Sequence, residues 1–228
     1  MMNLFNCMSR AVPLTAIILG GQALFAQDLP IVNPNFDDPS TTSWTQGGAG
    51  SSTAITGWTI SGGGNAGVGD VSGLGSIFAT PPSGTQIGYI NPIGLTTVSQ
   101  TLTTDLQPNE TYTLQIDVTG RSDGENPGTG YAVGLYAGGS LLTSVTPETP
   151  EYGSWTLLTA TFTTGSSVPS DDPLSIEISD WTAGGQLDFS DVTVVDPPAP
   201  GGTVPDGGVT AMLLAGSLGA MGWLRRKI

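Results

Sequence analysis

The chain of 228 residues contains no histidine, a single cysteine and only five basic residues. Without histidine there is no histidine general base, no histidine-based triad and no histidine metal ligand. Cys7 has no second thiol to pair with and lies near the N-terminus. An intrachain disulfide and a cysteine-ligated zinc are therefore excluded, and thiol catalysis is set aside. Nineteen acids against five bases give a formal net charge of −14. Nucleic-acid binding is not expected, because phosphate contacts need clustered lysine and arginine. What is abundant is glycine, with 34 residues, and proline, with 17. At 38% hydrophobic the chain still has enough apolar residues for a core. The glycines and prolines are thus expected to punctuate a β-rich domain.

The scarce bases are concentrated at the ends. Arg10 precedes an apolar run from Ala11 to Gly21, and small residues follow to Ala26. A short positive region, an apolar run of about 10 residues and an alanine at the exit predict a secretory signal peptide over 1–26. Arg225, Arg226 and Lys227 follow an apolar stretch from Gly207 to Leu224. That stretch is close to the roughly 17 residues that a helix needs to span a bilayer. The terminal cations would hold its end in the cytoplasm and leave the preceding chain outside. Between the two ends lie a β domain over 28–196 and a Pro/Gly linker over 197–204.

The tail has a fixed order: Val204–Pro205–Asp206–Gly207–Gly208, an apolar helix rich in small residues, then Arg225–Arg226–Lys227. It resembles the PEP-CTERM family of bacterial sorting signals, in the variant that opens Val-Pro-Asp-Ser-Gly, with Gly207 where that variant has serine. The resemblance covers about the last 25 residues. It implies an exported protein of the cell envelope or extracellular matrix of a Gram-negative-type bacterium. Such a protein is transiently anchored in the inner membrane by the tail, processed by an exosortase-type membrane protease, and associated with extracellular polysaccharide.

Every acid except Asp206 lies in the body, against the single base Arg121. The body alternates with period two. Tyr112, Leu114, Ile116 and Val118 take one phase, Tyr131, Val133 and Leu135 repeat it, and Leu174, Ile176 and Ile178 do so again. Such alternation predicts half-buried strands. Further strands are expected over 54–60, 85–90, 96–102, 140–145, 155–163 and 187–195. Gly138–Gly139 reads as a tight hairpin, whereas the Gly/Ser-rich stretches 46–53 and 61–75 read as long loops. About nine short strands predict an all-β fold, an antiparallel β-sandwich or jelly roll.

The domain opens Ile31–Val32–Asn33–Pro34–Asn35–Phe36–Asp37 and closes Leu187–Asp188–Phe189–Ser190–Asp191–Val192. Gly57–Trp58–Thr59, Gly84–Thr85–Gln86–Ile87–Gly88–Tyr89 and Val98–Ser99–Gln100–Thr101–Leu102 lie between. This order resembles the galactose-binding-like jelly rolls, which commonly begin N-P-x-F-E and end F-D-D-V. Here Asp37 replaces the glutamate and Ser190 the first aspartate. The resemblance implies a structural Ca2+ between the first and last strands, with Asp37 and Asp191 as carboxylate ligands. Independently, Leu187 and Phe189 share one phase and Val192 and Val194 the other, so the strand must bulge near Ser190–Asp191. The alternative is that Asp37, Asp38 and Asp191 are solvated turn residues.

For function, the glutamates Glu110, Glu125, Glu148, Glu151 and Glu177 show no catalytic context, and no G-x-S-x-G elbow is present. The reading is therefore a non-enzymatic, carbohydrate- or matrix-associating module. Trp44, Trp181 and Tyr152 are its candidate ring platforms, and Arg121 its hydrogen-bonding fork. Trp58 and Trp155 lead into strands and are expected in the core, and Arg121 alternatively pairs with Asp117 and Asp123. A structural envelope protein without a specific ligand is the alternative, and a carboxylate glycosidase a more distant one.

Overall fold

A computed structural model describes residues 27–41, 54–72, 74–75, 77–125, 127–151, 153–168 and 172–196. The expected signal peptide, linker and sorting tail (Val204 to Gly208, and Arg225 to Lys227), like Trp44 and Tyr152, lie outside the described residues. Among the described residues no helix is long and apolar enough to cross a membrane.

The described chain is all-β, with eleven strands in two antiparallel sheets. They are β1 (Gln27–Asp28), β2 (Thr59–Gly62), β3 (Asn65–Asp70), β4 (Gln86–Asn91), β5 (Thr96–Asp105) and β6 (Thr111–Thr119), then β7 (Tyr131–Ala137), β8 (Ser140–Ser144), β9 (Thr156–Thr163), β10 (Pro173–Asp180) and β11 (Leu187–Asp196). The first sheet runs β3-β4-β11-β6-β9, with β1 also paired to β11, and the second runs β2-β5-β10-β7-β8. The period-two pattern explains the sandwich. Leu114, Ile116 and Val118 of the first sheet and Leu174, Ile176 and Ile178 of the second are all 0% exposed and belong to one core. At the β7–β8 turn Gly138 and Gly139 have φ of 53° and 78°, which a two-residue hairpin with both central residues left-handed requires.

One expectation is overturned. The stretch 61–75, read as a loop, contains β3, which pairs with β4 from Asn65↔Asn91 to Asp70↔Gln86. Ala66 and Val68 are fully buried in the main core. Their strand partners in sequence, Gly67 and Gly69, lie opposite Tyr89 and Ile87. With glycine at every second position the apolar alternation is too thin to read as a strand.

The expected bulge is present. The β11–β6 register shifts between Ser190 and Thr193, and Asp191 has φ of 49°. The gap along β11 is filled by the opening segment: Leu29 N–H donates to Val194 O at 2.8 Å and Val192 N–H to Pro34 O at 3.0 Å. Phe36 is thereby driven into the core. Its ring meets Phe189 edge-on at 4.8 Å and Trp58 at 5.2 Å. Trp58, as expected, is a core residue, and its indole N–H donates to Val32 O at 3.0 Å.

Candidate functional site

Asp188 lies between Leu187 and Phe189, both in the main core, so its side chain takes the opposite face of the first sheet. That outer face is not left to solvent. Asp188 is opposite Tyr89 of β4 and Thr119 of β6, and all three are 0% exposed. A cover forms over this sheet where Val71 and Phe78 pack on Ile87 of β4, with Leu74, Ile77 and Trp155 against them. Ser122 N–H donates to Ile77 O at 3.0 Å, and the Trp155 indole N–H to Thr80 O at 2.7 Å, which tie the cover down. A pocket of about 130 Å³ lies in this region, lined by Val71, Phe78, Ala79 and Pro81 among others.

The polar groups under the cover form one chain. Gln186 Nε2 donates to Asp188 Oδ1 at 2.7 Å. Gln186 Oε1 accepts from Arg121 Nη1 at 3.0 Å and from Asn91 Nδ2 at 3.5 Å. Arg121 in turn binds Asp123 through both Nε, at 3.1 Å, and Nη2, and its Nη1 lies 2.8 Å from Glu125 Oε2. The guanidinium sits over the Phe78 ring, 5.3 Å from its centroid. Asp188 Oδ2 is buried and has no hydrogen-bond partner among the described residues.

Burial pushes the Asp188 carboxyl up to about 8. The Gln186 hydrogen bond and the Arg121 charge pull the other way, while Asp123 and Glu125 push upward again. Because Arg121 is already matched by two carboxylates, it does not hold Asp188 ionised. The balance of these influences favours the uncharged acid. Gln186 occupies Oδ1, which leaves Oδ2 for the proton, with no acceptor facing it among the described residues. A dry carboxylic acid whose O–H is uncommitted is the donor that general acid catalysis needs.

The residues expected from the sequence fall elsewhere or take other roles. Arg121, expected as a fork for a ligand, is only 6% exposed and is consumed by Asp123, Glu125 and Gln186. Its ion-pair partners are Asp123 and Glu125, not Asp117. Trp181 is 48% exposed at the start of the β10–β11 connection and makes none of the hydrogen bonds of the buried network. Asp37 and Asp191 do come together. Asp37 is raised first by burial and then by the charge of Asp191, and Asp117, also raised chiefly by burial, feels Asp191 as well. Ser83 Oγ donates to Asp191 Oδ1 and Asn35 Nδ2 to Asp37 Oδ2, both at 2.6 Å. No base faces these acids, since Arg121, the only base among the described residues, is engaged elsewhere. Hard carboxylate oxygens with uncompensated charge fit a calcium ion. Among the described residues no group of three or more carboxylate, thiolate or imidazole ligands is assembled, so backbone carbonyls and water would have to complete such a site.

Asp188 has no local catalytic signature in the sequence. The available signal was an aspartate enclosed by Leu187 and Phe189 on a strand, with a polar Gln186 before it.

Solved structures with a similar fold include cyclases from Fischerella. A Stig cyclase, Fisc, from Fischerella sp. TAU in complex with (3Z)-3-(1-methyl-2-pyrrolidinylidene)-3H-indole is 23% identical at a TM-score of 0.67, covering 77% of this chain and 100% of that one. A cyclase from Fischerella sp. TAU in complex with 4-(1H-indol-3-yl)butan-2-one is 23% identical at 0.66, covering 76% and 99%. An apo cyclase from Fischerella sp. is 23% identical at 0.66, covering 77% and 98%. At these identities the likeness is one of fold. No curated protein matches the chain. The family model of the HpiC1-like cyclases, described as HpiC1 cyclase, matches residues 27–195. In place of the non-enzymatic, carbohydrate-binding module expected from the sequence, this match gives an enzyme family, and it overturns that expectation. The residues matched take in both sheets and the buried Asp188 network, and the chain belongs to the HpiC1-like cyclase family.

Proposed function

We propose that the chain is an acid-dependent cyclase in which Asp188 is the proton donor. The observation that carries this reading is the Asp188 carboxyl itself, buried, pushed to about 8 and left with an unoccupied Oδ2. Protonation of an alkene or carbonyl by Oδ2–H creates a cationic centre. A π-bond of the same molecule attacks it, forming the ring bond, and loss of a proton from the cyclised cation returns one to the carboxylate. The product is an isomer of the substrate, and the enzyme ends as it began. Water competes for such cations, so a dry, apolar enclosure of the kind Val71, Phe78 and Ile87 provide favours ring closure over hydration.

The Fischerella cyclases of similar fold hold indole compounds. An indole carrying an unsaturated side chain is therefore the substrate class to test first. The experiment is incubation with such compounds and analysis for products of unchanged mass and altered connectivity. Turnover is expected to be highest where Asp188 is protonated and to fall as pH rises through about 8. A rate that instead rises across that range would assign the chemistry to a base and sink the reading.

The sandwich further reads as a galactose-binding-like jelly roll, exported under the signal peptide over 1–26, with structural calcium between Asp37 and Asp191. Calcium would cancel the mutual repulsion of these carboxylates and fasten the opening segment to β11. Ion present at 100 times its Kd stabilises a folded protein by about 2.7 kcal/mol. Calcium is expected to raise the Tm of the native chain and to leave Asp37→Asn nearly unmoved. A Tm indifferent to chelator would remove the ion from the account.

A further inference from the structure

We propose that Gln186, clamped by Arg121, is the positioning residue of the Asp188 acid: it assigns the proton to Oδ2 and keeps that oxygen as the donor. This rests on the reading of Asp188 as the acid and goes one step further, to what sets where its proton sits and when it leaves.

The orientation of the Gln186 amide is fixed by what surrounds it. Arg121 Nη1 can only donate and points at one end of the amide, at 3.0 Å, and the Asn91 amide, free to turn to match, lies 3.5 Å from the same end. That end must be the carbonyl oxygen, since the flipped amide would set its N–H groups against the guanidinium, which has no acceptor. The Nε2 end therefore faces Asp188, at 2.7 Å from Oδ1. A proton on Oδ1 would collide with this N–H, so Oδ1 is held as the acceptor oxygen. Oδ2 is then the only oxygen of the carboxyl on which the proton can reside.

Arg121 is held just as firmly. Asp123 takes Nε and Nη2, Glu125 lies at Nη1, and the Phe78 ring lies beneath the guanidinium. The same two carboxylates set how strongly the arginine acts on Asp188. The groups facing Asp188 from the elements packed on it are few. The β6–β7 connection contributes Arg121, Asp123 and Glu125, β4 contributes the phenol of Tyr89, and β6 the uncharged Thr119 with Asp117 two residues along the same face, opposite Ser190. The covering segment 71–85 carries no ionisable residue, and on β3 Asp70 lies at the far end, opposite Gln86.

Two substitutions in this one network must then move the acid in opposite directions. Gln186→Met keeps the volume and removes the N–H that favours the ionised carboxyl, so Asp188 should hold its proton to higher pH. Its rate should fall roughly tenfold or more, because the carboxyl is no longer oriented. Asp123→Asn leaves Arg121 less neutralised, so Asp188 should lose its proton at lower pH. The reading needs no substrate: infrared difference spectra across a pH titration follow the protonated carboxyl band that is absent from Asp188→Asn. A rise for Gln186→Met with a fall for Asp123→Asn confirms the relay. Bands that stay put in both variants, or move the same way, overturn it while leaving Asp188 as the acid. If the wild-type band itself titrates in the ordinary carboxyl range, the acid reading fails, and the relay with it.

Discussion

Replacing Asp188 by asparagine is expected to remove turnover and to stabilise the folded chain at neutral pH. Asparagine copies the shape of the protonated acid, accepts the Gln186 N–H through Oδ1, and has no proton acidic enough to give away. General acid catalysis contributes about 10²–10⁴-fold, which sets the scale of the loss. The stability change follows from linkage. The folded chain keeps the Asp188 proton to about pH 8, whereas the unfolded chain keeps it only to the ordinary 3.8. Between those values the folded state binds more protons, so its stability falls as pH rises. Asparagine has no such dependence. Its advantage should be absent near pH 4, grow steadily, and level off above about 8. Each unit of separation corresponds to about 1.36 kcal/mol, less about 1 kcal/mol for an amide N–H without an acceptor at the Oδ2 position. Asp180, also fully buried and pushed by burial to about 6, titrates in the same window. It is present in both proteins, so the difference between their melting curves isolates Asp188. Thermal melts of the two proteins at several pH values check the prediction. A variant that is inactive but less stable at every pH would mean that Asp188 is structural.

Phe36→Ala is expected to be among the most damaging single changes in the core. The ring is 0% exposed, stands edge-on to Phe189 at 4.8 Å and lies 5.2 Å from Trp58. Its backbone has φ of 61°, so the opening segment is bent for the purpose of inserting this ring. Phenylalanine-to-alanine changes in cores cost about 3–5 kcal/mol, a large part of the 5–15 kcal/mol that holds a typical domain together. The loss should spread. Val192 N–H is bonded to Pro34 O, and the Gln86 amide donates to Phe36 O and Pro39 O at 3.1 Å each. Freeing Phe36 therefore loosens β11 beside the Asp188 site. Urea denaturation should show a lower midpoint with an unchanged slope. A midpoint shifted by less than the cost of one methylene group would show that the ring is not a core element.

These two residues also mark what the sequence made legible. Phe36 belongs to the Asn33–Phe36 opening, and the phase reversal between Phe189 and Val192 foretold the bulge that receives it. The strands β5 to β11 are likewise legible, because their inward residues alternate. Asp188 was not, for a reason that lies in the sheet's second face. An acid between two apolar residues on a strand looks like a solvent-facing position unless something covers it. Here the cover includes Val71 and Leu74, inside the Gly/Ser-rich stretch 61–75 that read as a long loop, and β3 was hidden by the same composition. Arg121, the lone base of the body, looked like a group free for a ligand. Its burial depends on Asp123 and Glu125 folding back on it and on Gln186 arriving from 65 residues away, a proximity that no local pattern announces.

The central claim is that Asp188 is a neutral acid at physiological pH. The most direct measurement is a carbon-13 NMR titration of the aspartate side-chain carboxyls, with the Asp188 resonance assigned by its absence from Asp188→Asn. The account predicts a resonance that remains in the protonated position through pH 7 and moves with a midpoint near 8. A midpoint near 4, with the carboxylate already formed at neutral pH, would contradict it.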